Sequence, residues 1–297
     1  MKLEKTGKLY SFPVLLFNST HNLLIIKISK MKKRITQWLK RNLGYSWLAG
    51  FFRLLHQVSL WGMNYGGGAS VEDSGEAYAL SLLKKKYQDN SLVVFDVGAN
   101  KGNYADLVLK TFSHKSLQLH CFEPSARTYS FLQNKIKSTP NILLNLFGLS
   151  SKEQSLILHY DTIASGMASV YTRNLDHIGT QLTTEEVCQF KTLDQYCNQQ
   201  EIEKIDLLKL DVEGHELEVL QGGLRILPNI QFIQFEFGGC NIDSRTYFKD
   251  FYLLLKDNFD IYVLLKDGLL PIKTYGEHLE IFTTTNYFCV NKGVGKL

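Results

Sequence analysis

Between Leu92 and Asn103 the sequence reads Leu-Val-Val-Phe-Asp-Val-Gly-Ala-Asn-Lys-Gly-Asn. An apolar run of buried-strand character ends in a carboxylate, Asp96, and breaks into a turn carrying Gly98, Asn100 and Gly102. The glycines let backbone approach a ligand closely. The helical stretch that follows, Tyr104 to Thr111, presents its N-terminal amides to the same place. Strand, turn and helix in this order commit this part of the chain to an open α/β sheet, which binds ligands at the carboxyl ends of its strands.

The charge at the turn decides what kind of ligand suits it. A dinucleotide turn follows G-x-G-x-x-G, because a pyrophosphate must touch bare backbone amides. With the first glycine set at Gly98, the second position holds Asn100 and the third Asn103, and an acid stands two residues before Gly98. That acid repels phosphate and attracts a cation. S-adenosylmethionine carries an ammonium and a sulfonium and no phosphate, so Asp96, Gly98, Asn100 and Gly102 suit it better than they suit NAD.

Further strands repeat the pattern. Leu117 to Phe122 ends in Glu123-Pro124, and Glu123 lies at the separation where a βαβ unit places the acid that binds ribose hydroxyls. Ile205 to Leu210 ends in Asp211-Val-Glu213-Gly-His215-Glu216, and Gln231 to Phe235 ends in Glu236. Four strands that each finish on an acid define one binding edge.

Asp96-Val-Gly-Ala-Asn-Lys-Gly-Asn-Tyr, Phe122-Glu123-Pro124, Gly148-Leu-Ser150 and Leu210-Asp-Val-Glu-Gly-His-Glu216, in that order and spacing, resemble the FkbM family of S-adenosylmethionine-dependent methyltransferases. The resemblance runs from about Val93 to about Val290, and the second acidic block is its most specific element. It implies a class I methyltransferase (Rossmann-like) fold, a mostly parallel sheet flanked by helices, and adds Ser150 to the cofactor set. It also implies O-methylation, often of sugar hydroxyls in glycans, glycolipids or surface polysaccharides, and sometimes of hydroxyls on secondary metabolites. An NAD-dependent oxidoreductase or a nucleic-acid methyltransferase remains an alternative.

Methyl transfer to a hydroxyl is helped by a base that takes the hydroxyl proton. His215 is the first candidate, since it stands among Asp211, Glu213 and Glu216, whose charges would raise its proton affinity. Asp211 is the second, and Glu213 is a candidate for binding the acceptor. Asp211, Glu213, His215 and Glu236 have the chemistry of hard metal ligands, but neither the pattern nor the resemblance demands a metal, and none is assigned.

The net charge of +4 conceals an asymmetry: eleven Lys/Arg against Glu4 alone give the first 56 residues +10, which leaves −6 for the rest. A net acidic catalytic region is a poor platform for a polyanion, which argues against nucleic acid as substrate. Within the basic end, Ile35, Trp38 and Leu39, then Phe51, Leu54 and Leu55, recur at helical spacing among Lys and Arg. Residues 31–56 therefore suit either peripheral contact with an anionic membrane or a packing helix. Residues 9–26 are interrupted by polar residues and Pro13 and form neither a convincing transmembrane helix nor a signal peptide. The expected placement is cytoplasmic, with contact at the inner membrane face under the first of these two readings. Five scattered cysteines without a C-x-x-C pair suggest neither disulfides nor zinc.

The expected organisation is a basic N-terminal segment over 1–63, a Gly-rich junction over 64–75 and a methyltransferase domain over 76–297. Helices are expected at Ala77 to Tyr87, Tyr104 to Thr111, Ser125 to Lys137, Gly214 to Gln221 and Tyr247 to Asn258. Further strands are expected at Ile142 to Phe147, Ser155 to Tyr160, Ile261 to Leu265 and Tyr287 to Val290. Asp161 to Val187 reads as a long irregular insertion of the kind that forms lids or binding loops.

Overall fold

A computed structural model describes residues 30–67, 73–87, 91–112 and 117–294. The expectations placed on residues 1–29 and on the centre of the Gly-rich junction lie outside the described residues. The chain divides into two compact units, Met1–Ser59 and Leu60–Leu297. Within the first, residues 30–42 form helix α1. Helix α2 spans Ser46–Gly62.

The second unit is built on an eight-stranded sheet. β1 (Leu92–Val97), β2 (Leu117–Phe122), β3 (Ile142–Asn145), β7 (Ile205–Leu210) and β8 (Ile230–Phe237) run parallel. β11 (Thr285–Asn291) lies antiparallel between β8 and β9 (Phe259–Leu264), and the hairpin partner β10 (Leu269–Ile272) closes the edge. The order β10-β9-β11-β8-β7-β1-β2-β3 agrees with the mostly parallel, Rossmann-like sheet that the resemblance implies, with the reversed strand β11 inserted near an edge. From β1 the chain moves outward through β2 and β3 and then returns to β7 on the other side. The carboxyl ends of β1 and β7 therefore flank a topological switch point, where an open sheet leaves a crevice.

Alternation along the strands sorts side chains onto two faces. Phe95, Leu208 and Phe235 enter one core with helices α6 (Leu193–Gln199), α7 (Glu216–Gln221) and α9 (Phe248–Leu255). Val94, Leu207 and Phe232 enter the other, with α3 (Glu76–Tyr87), α4 (Asn103–Thr111) and α5 (Ala126–Lys135). Strands covered on both faces read as continuous apolar runs, which is why β1, β2 and β7 were legible. All five cysteines are free and buried.

The irregular insertion expected over 161–187 is shortened at its end, where Thr184 to Val187 belong to a strand. β5 (Gln154–Tyr160) pairs antiparallel with β6 (Thr184–Lys191), and β4 (Gly148–Leu149) completes a second, three-stranded sheet. β6 alternates in the sense of a half-buried strand, with Cys188 and Phe190 inward and Val187 68% exposed. Only the stretch between β5 and β6 is irregular, apart from a short 3-10 turn at Asp176–Ile178.

Candidate active site

The β1 turn is pressed against the end of β7. Gly98 adopts φ 85°, and a Cβ there would overlap the backbone oxygen of Asp211, so glycine is required both for the left-handed backbone and for the close approach. Gly102, at φ 79°, serves a different end: a Cβ would press on Leu132 and Ile136 at 2.8 and 2.9 Å. It packs the turn against α5 and is not part of the cleft wall. Asn100 sits at φ 47°, donates its backbone N–H to Glu123 Oε2 at 3.0 Å and its side-chain N–H to the Ser165 carbonyl at 2.9 Å.

Two adjoining spaces open at this edge. The larger is a cleft of ≈ 1330 Å³ bordered by Gly98, Asn100, Lys209, Asp211, Glu213 and Glu236. The smaller, ≈ 120 Å³, has Leu149, Leu158, Val170 and Phe190 in its wall together with Glu123. Gly98, Asn100, Asp211 and Glu213 border both.

Beneath and along the floor of the cleft runs a charged network that follows from sheet register, with Lys209, Asp211 and Glu76 lining the cleft and Asp96 buried behind them. Asp96 of β1 lies beside Lys209 of β7, which lies beside Gln234 of β8. Lys209 donates to Asp211 Oδ2 at 2.9 Å, stands 3.6 Å from Glu76 Oε1 and lies 4.8 Å from the centre of the Tyr104 ring. Burial alone would pull the lysine pKa down, but Asp211, Glu76 and Asp96 more than offset it, so Lys209 stays cationic. Asp96 is fully buried, and the hydrogen-bonding group near its carboxylate is the backbone N–H of Ala105, whose effect is smaller than that of burial. Burial raises its pKa to about 6 against the opposing pull of Lys209.

The loop after β7 holds the remaining acids apart in role. Glu216 is fully buried and accepts from Val212 N–H and Gly214 N–H, so it fixes the loop from within. Glu213, at φ 52°, turns into the cleft and meets Arg173 Nη1 at 2.7 Å; Arg173 Nε also reaches Asp243 at 3.3 Å. Burial and then Asp211 push the Glu213 pKa up to about 8. Ligand atoms of Asp211, Glu213 and Glu236 all lie within 4.8 Å of one another, so these three could share a cation.

His215 is redirected by the structure. Its ring faces the smaller space, with Nε2 2.9 Å from Ser150 Oγ and Nδ1 3.0 Å from the Tyr171 hydroxyl. The expected gain in proton affinity from nearby acids is reversed: burial lowers its pKa to about 4, against a smaller upward pull from Glu218. A neutral imidazole offers one donor and one acceptor, and both are engaged. Ser150 likewise lies behind the wall. It is fully buried, its hydroxyl is shared between His215 and Gln154 Nε2, and the preceding Gly148 and Leu149 face the smaller space instead.

The sequence reading did not single out Lys209, Arg173, Tyr171 or Glu76. Lys209 carried a signal, being a lysine inside the apolar strand Ile-Asp-Leu-Leu-Lys-Leu. The other three come from separate segments and meet the site only through the fold.

These groups make stability depend on pH. Asp96 near 6, and Glu123 and Glu216 near 7, all raised first by burial, hold protons more tightly in the fold than in the unfolded chain. Their ionisation costs stability above those values, so the fold gains as pH falls through them. His120 and His215, lowered to about 4 by burial, work the other way below the ordinary histidine value of 6.5, where the unfolded chain takes up protons first. The melting temperature of ligand-free protein is expected to rise as pH drops from 8 to 6.5 and to rise less steeply below that, where the two histidines offset most of what the three acids contribute. A monotonic fall over the upper interval in a thermal melt series contradicts the raised proton affinity of these buried acids.

The profile of the methyltransferase FkbM domain matches residues 96–262, more than half of the chain and the whole span from the β1 acid to β9. The chain belongs to the FkbM methyltransferase family. Among relatives, it is 30% identical over 162 residues to the hexuronic acid methyltransferase AglP of Haloferax volcanii and 26% identical over 168 residues to the 2-O-methyltransferase NoeI of Sinorhizobium fredii. The matches cover 54% and 53% of this chain, and the chain spans 61% and 66% of those relatives' own lengths. The crystal structure of methyltransferase FkbM from Methylobacillus flagellatus aligns with a TM-score of 0.39 at 15% identity, covering 67% of this chain and 44% of that one. FkbM methyltransferases draw their methyl group from S-adenosylmethionine.

The residues present fit that donor. The buried carboxylate of Asp96 and the three acids of the cleft favour a cation over a phosphate. Glu123 accepts one N–H on each oxygen, from Asn100 and Ser125, and each oxygen retains a lone pair for a ribose hydroxyl. The apolar lining beside Glu123 suits a purine.

Proposed function

We propose that the chain transfers a methyl group from S-adenosylmethionine to a hydroxyl of a sugar in a glycan, glycolipid or surface polysaccharide. The observation that carries the reading is the union of an acid-floored cleft with an adjoining space walled by Glu123 and apolar side chains, in a member of the FkbM family. The sugar acceptor is supported by the hexuronic acid and 2-O-methyl activities named for two relatives. Methylation of a hydroxyl on a secondary metabolite is the second reading consistent with the family.

When bound, S-adenosylmethionine supplies an activated methyl group on a sulfur that leaves readily. The protein's own task is to hold donor and acceptor in line and to receive the hydroxyl proton. In this reading Asp96 supplies negative charge for the cationic donor, and Glu236, which burial pushes well above the ordinary carboxylate range, ionises as that cation binds, while Glu123 and the backbone at Gly98 and Asn100 hold its nucleoside. Asp211 takes the acceptor proton: its side chain is 38% exposed against 17% for Glu213, and Lys209 fixes it in place. Glu213, held by Arg173, orients the acceptor's hydroxyls. His215 braces the wall between the two spaces through Ser150 and Tyr171.

Transfer of labelled methyl from S-adenosylmethionine across surface glycans, their nucleotide-sugar precursors and hydroxylated metabolites tests the reading. Incorporation into a sugar hydroxyl is expected. Incorporation confined to non-sugar metabolites selects the second reading, and label on nitrogen or carbon overturns O-methylation.

A further inference from the structure

The chain contains three tryptophans, Trp38, Trp47 and Trp61. All three lie on helices α1 and α2 and are strongly exposed, at 63%, 78% and 63%. A globular fold ordinarily keeps this residue largely buried, so three outward tryptophans on two successive helices call for a partner.

Their neighbours are not scattered. At 100° per residue, Trp47, Phe51, Leu54, Leu55, Val58 and Trp61 fall on one face of α2, and each is exposed. Met31, Ile35, Trp38 and Leu39 form the corresponding exposed stripe of α1. Around these stripes the charge is of one sign. Residues 30–62 contain seven Lys/Arg and no Asp or Glu, and six of the seven flank or oppose the α1 stripe. Among the described residues no helix is long and apolar enough to cross a membrane.

We infer that α1 and α2 are a docking surface for an anionic lipid bilayer, lying in its interface with the apolar stripes toward the acyl chains and the lysines and arginines among the headgroups. Charge complementarity selects this occupant. A protein partner would need an acidic surface to match seven cations, whereas an anionic bilayer offers negative charge at every headgroup together with an apolar interior. Tryptophan at the boundary between water and acyl chains matches the known preference of its amphipathic ring. The inference uses none of the residues of the proposed methyl-transfer site, so each can fail without the other.

The absence of tryptophan elsewhere gives the test a clean signal, because emission from the full chain reports this surface alone. The full chain is mixed with vesicles of phosphatidylcholine and phosphatidylglycerol in equal amounts, and separately with vesicles of pure phosphatidylcholine. Sedimentation with the mixed vesicles, a blue shift of tryptophan emission, and affinity about tenfold weaker on pure phosphatidylcholine or at high salt are expected. The double variant Trp47→Glu, Leu54→Glu, checked for folding by its melting temperature, is expected to lose vesicle binding. Failure of the full chain to sediment with either vesicle overturns the inference. Equal binding to both vesicles overturns the anionic-lipid assignment, and retention of binding by the double variant overturns the stripe. A dimer that dissociates in the double variant, with no vesicle binding, assigns the surface to a second copy of the chain instead.

Discussion

Replacing Asp211 with Asn is expected to lower kcat by about two to four orders of magnitude, the range typical for loss of a general base. Asparagine keeps the size of the side chain and can still accept from Lys209 Nζ, now 2.9 Å from the carboxylate, but it cannot take a proton. Lys209 retains Glu76 and Asp96 as negative neighbours, so the floor of the cleft survives and donor affinity is expected to change little. His215→Asn supplies the contrast. Its ring bridges Ser150 and Tyr171 from a buried position, so its loss is expected to lower the melting temperature through unpaired polar groups, at about 1–3 kcal/mol. Single-turnover kinetics with labelled donor separate the two. Full turnover in Asp211→Asn together with a slow chemical step in a stable His215→Asn returns the proton to His215.

Asp96→Asn is expected to move binding and stability in opposite directions. In ligand-free protein the carboxylate is fully buried, and burial raises its pKa to about 6 against weaker opposing pulls from Lys209 and the Ala105 N–H. Holding it ionised therefore costs the fold stability at pH 8. Asparagine removes that cost, and the ligand-free protein is expected to gain about 1–3 kcal/mol at pH 8. At pH 5.5, below the folded-state value, the native side chain is mostly protonated and the gain should largely disappear. Binding of the cationic donor is expected to weaken by about tenfold or more, since the site keeps a destabilising charge for that purpose. A variant less stable than the parent at pH 8, with donor affinity intact, would falsify the role given to Asp96.

The parts of the fold legible in the sequence are those where local pattern and tertiary demand agree. β1, β2 and β7 are buried on both faces and so read as apolar runs, and their terminal acids marked the binding edge because strand ends in such a sheet share one side. β6 was overlooked although Thr184–Lys191 alternates, because the exposed Val187 blurs the polar face. The site was legible as a set of acids and not as a geometry. Glu213 and Gly214 both adopt positive φ, at 52° and 101°, and this reversal of the backbone sends Glu213 into the cleft while His215 faces Ser150. Sequence proximity carries no trace of that turn. Lys209 reaches Asp96 through strand register, and Arg173 reaches Glu213 from a loop 40 residues away in the chain, which no local pattern encodes.

The central claim is that an acid-floored cleft at the β1/β7 crevice receives a cationic nucleoside cofactor. Calorimetric titration of the full chain and of Asp96→Asn with S-adenosylmethionine, and of the full chain with NAD, tests it most directly. Saturable binding of S-adenosylmethionine, weakened by the substitution, and no binding of NAD are predicted. Binding of NAD in its place, or equal affinity of parent and variant for S-adenosylmethionine, contradicts the account.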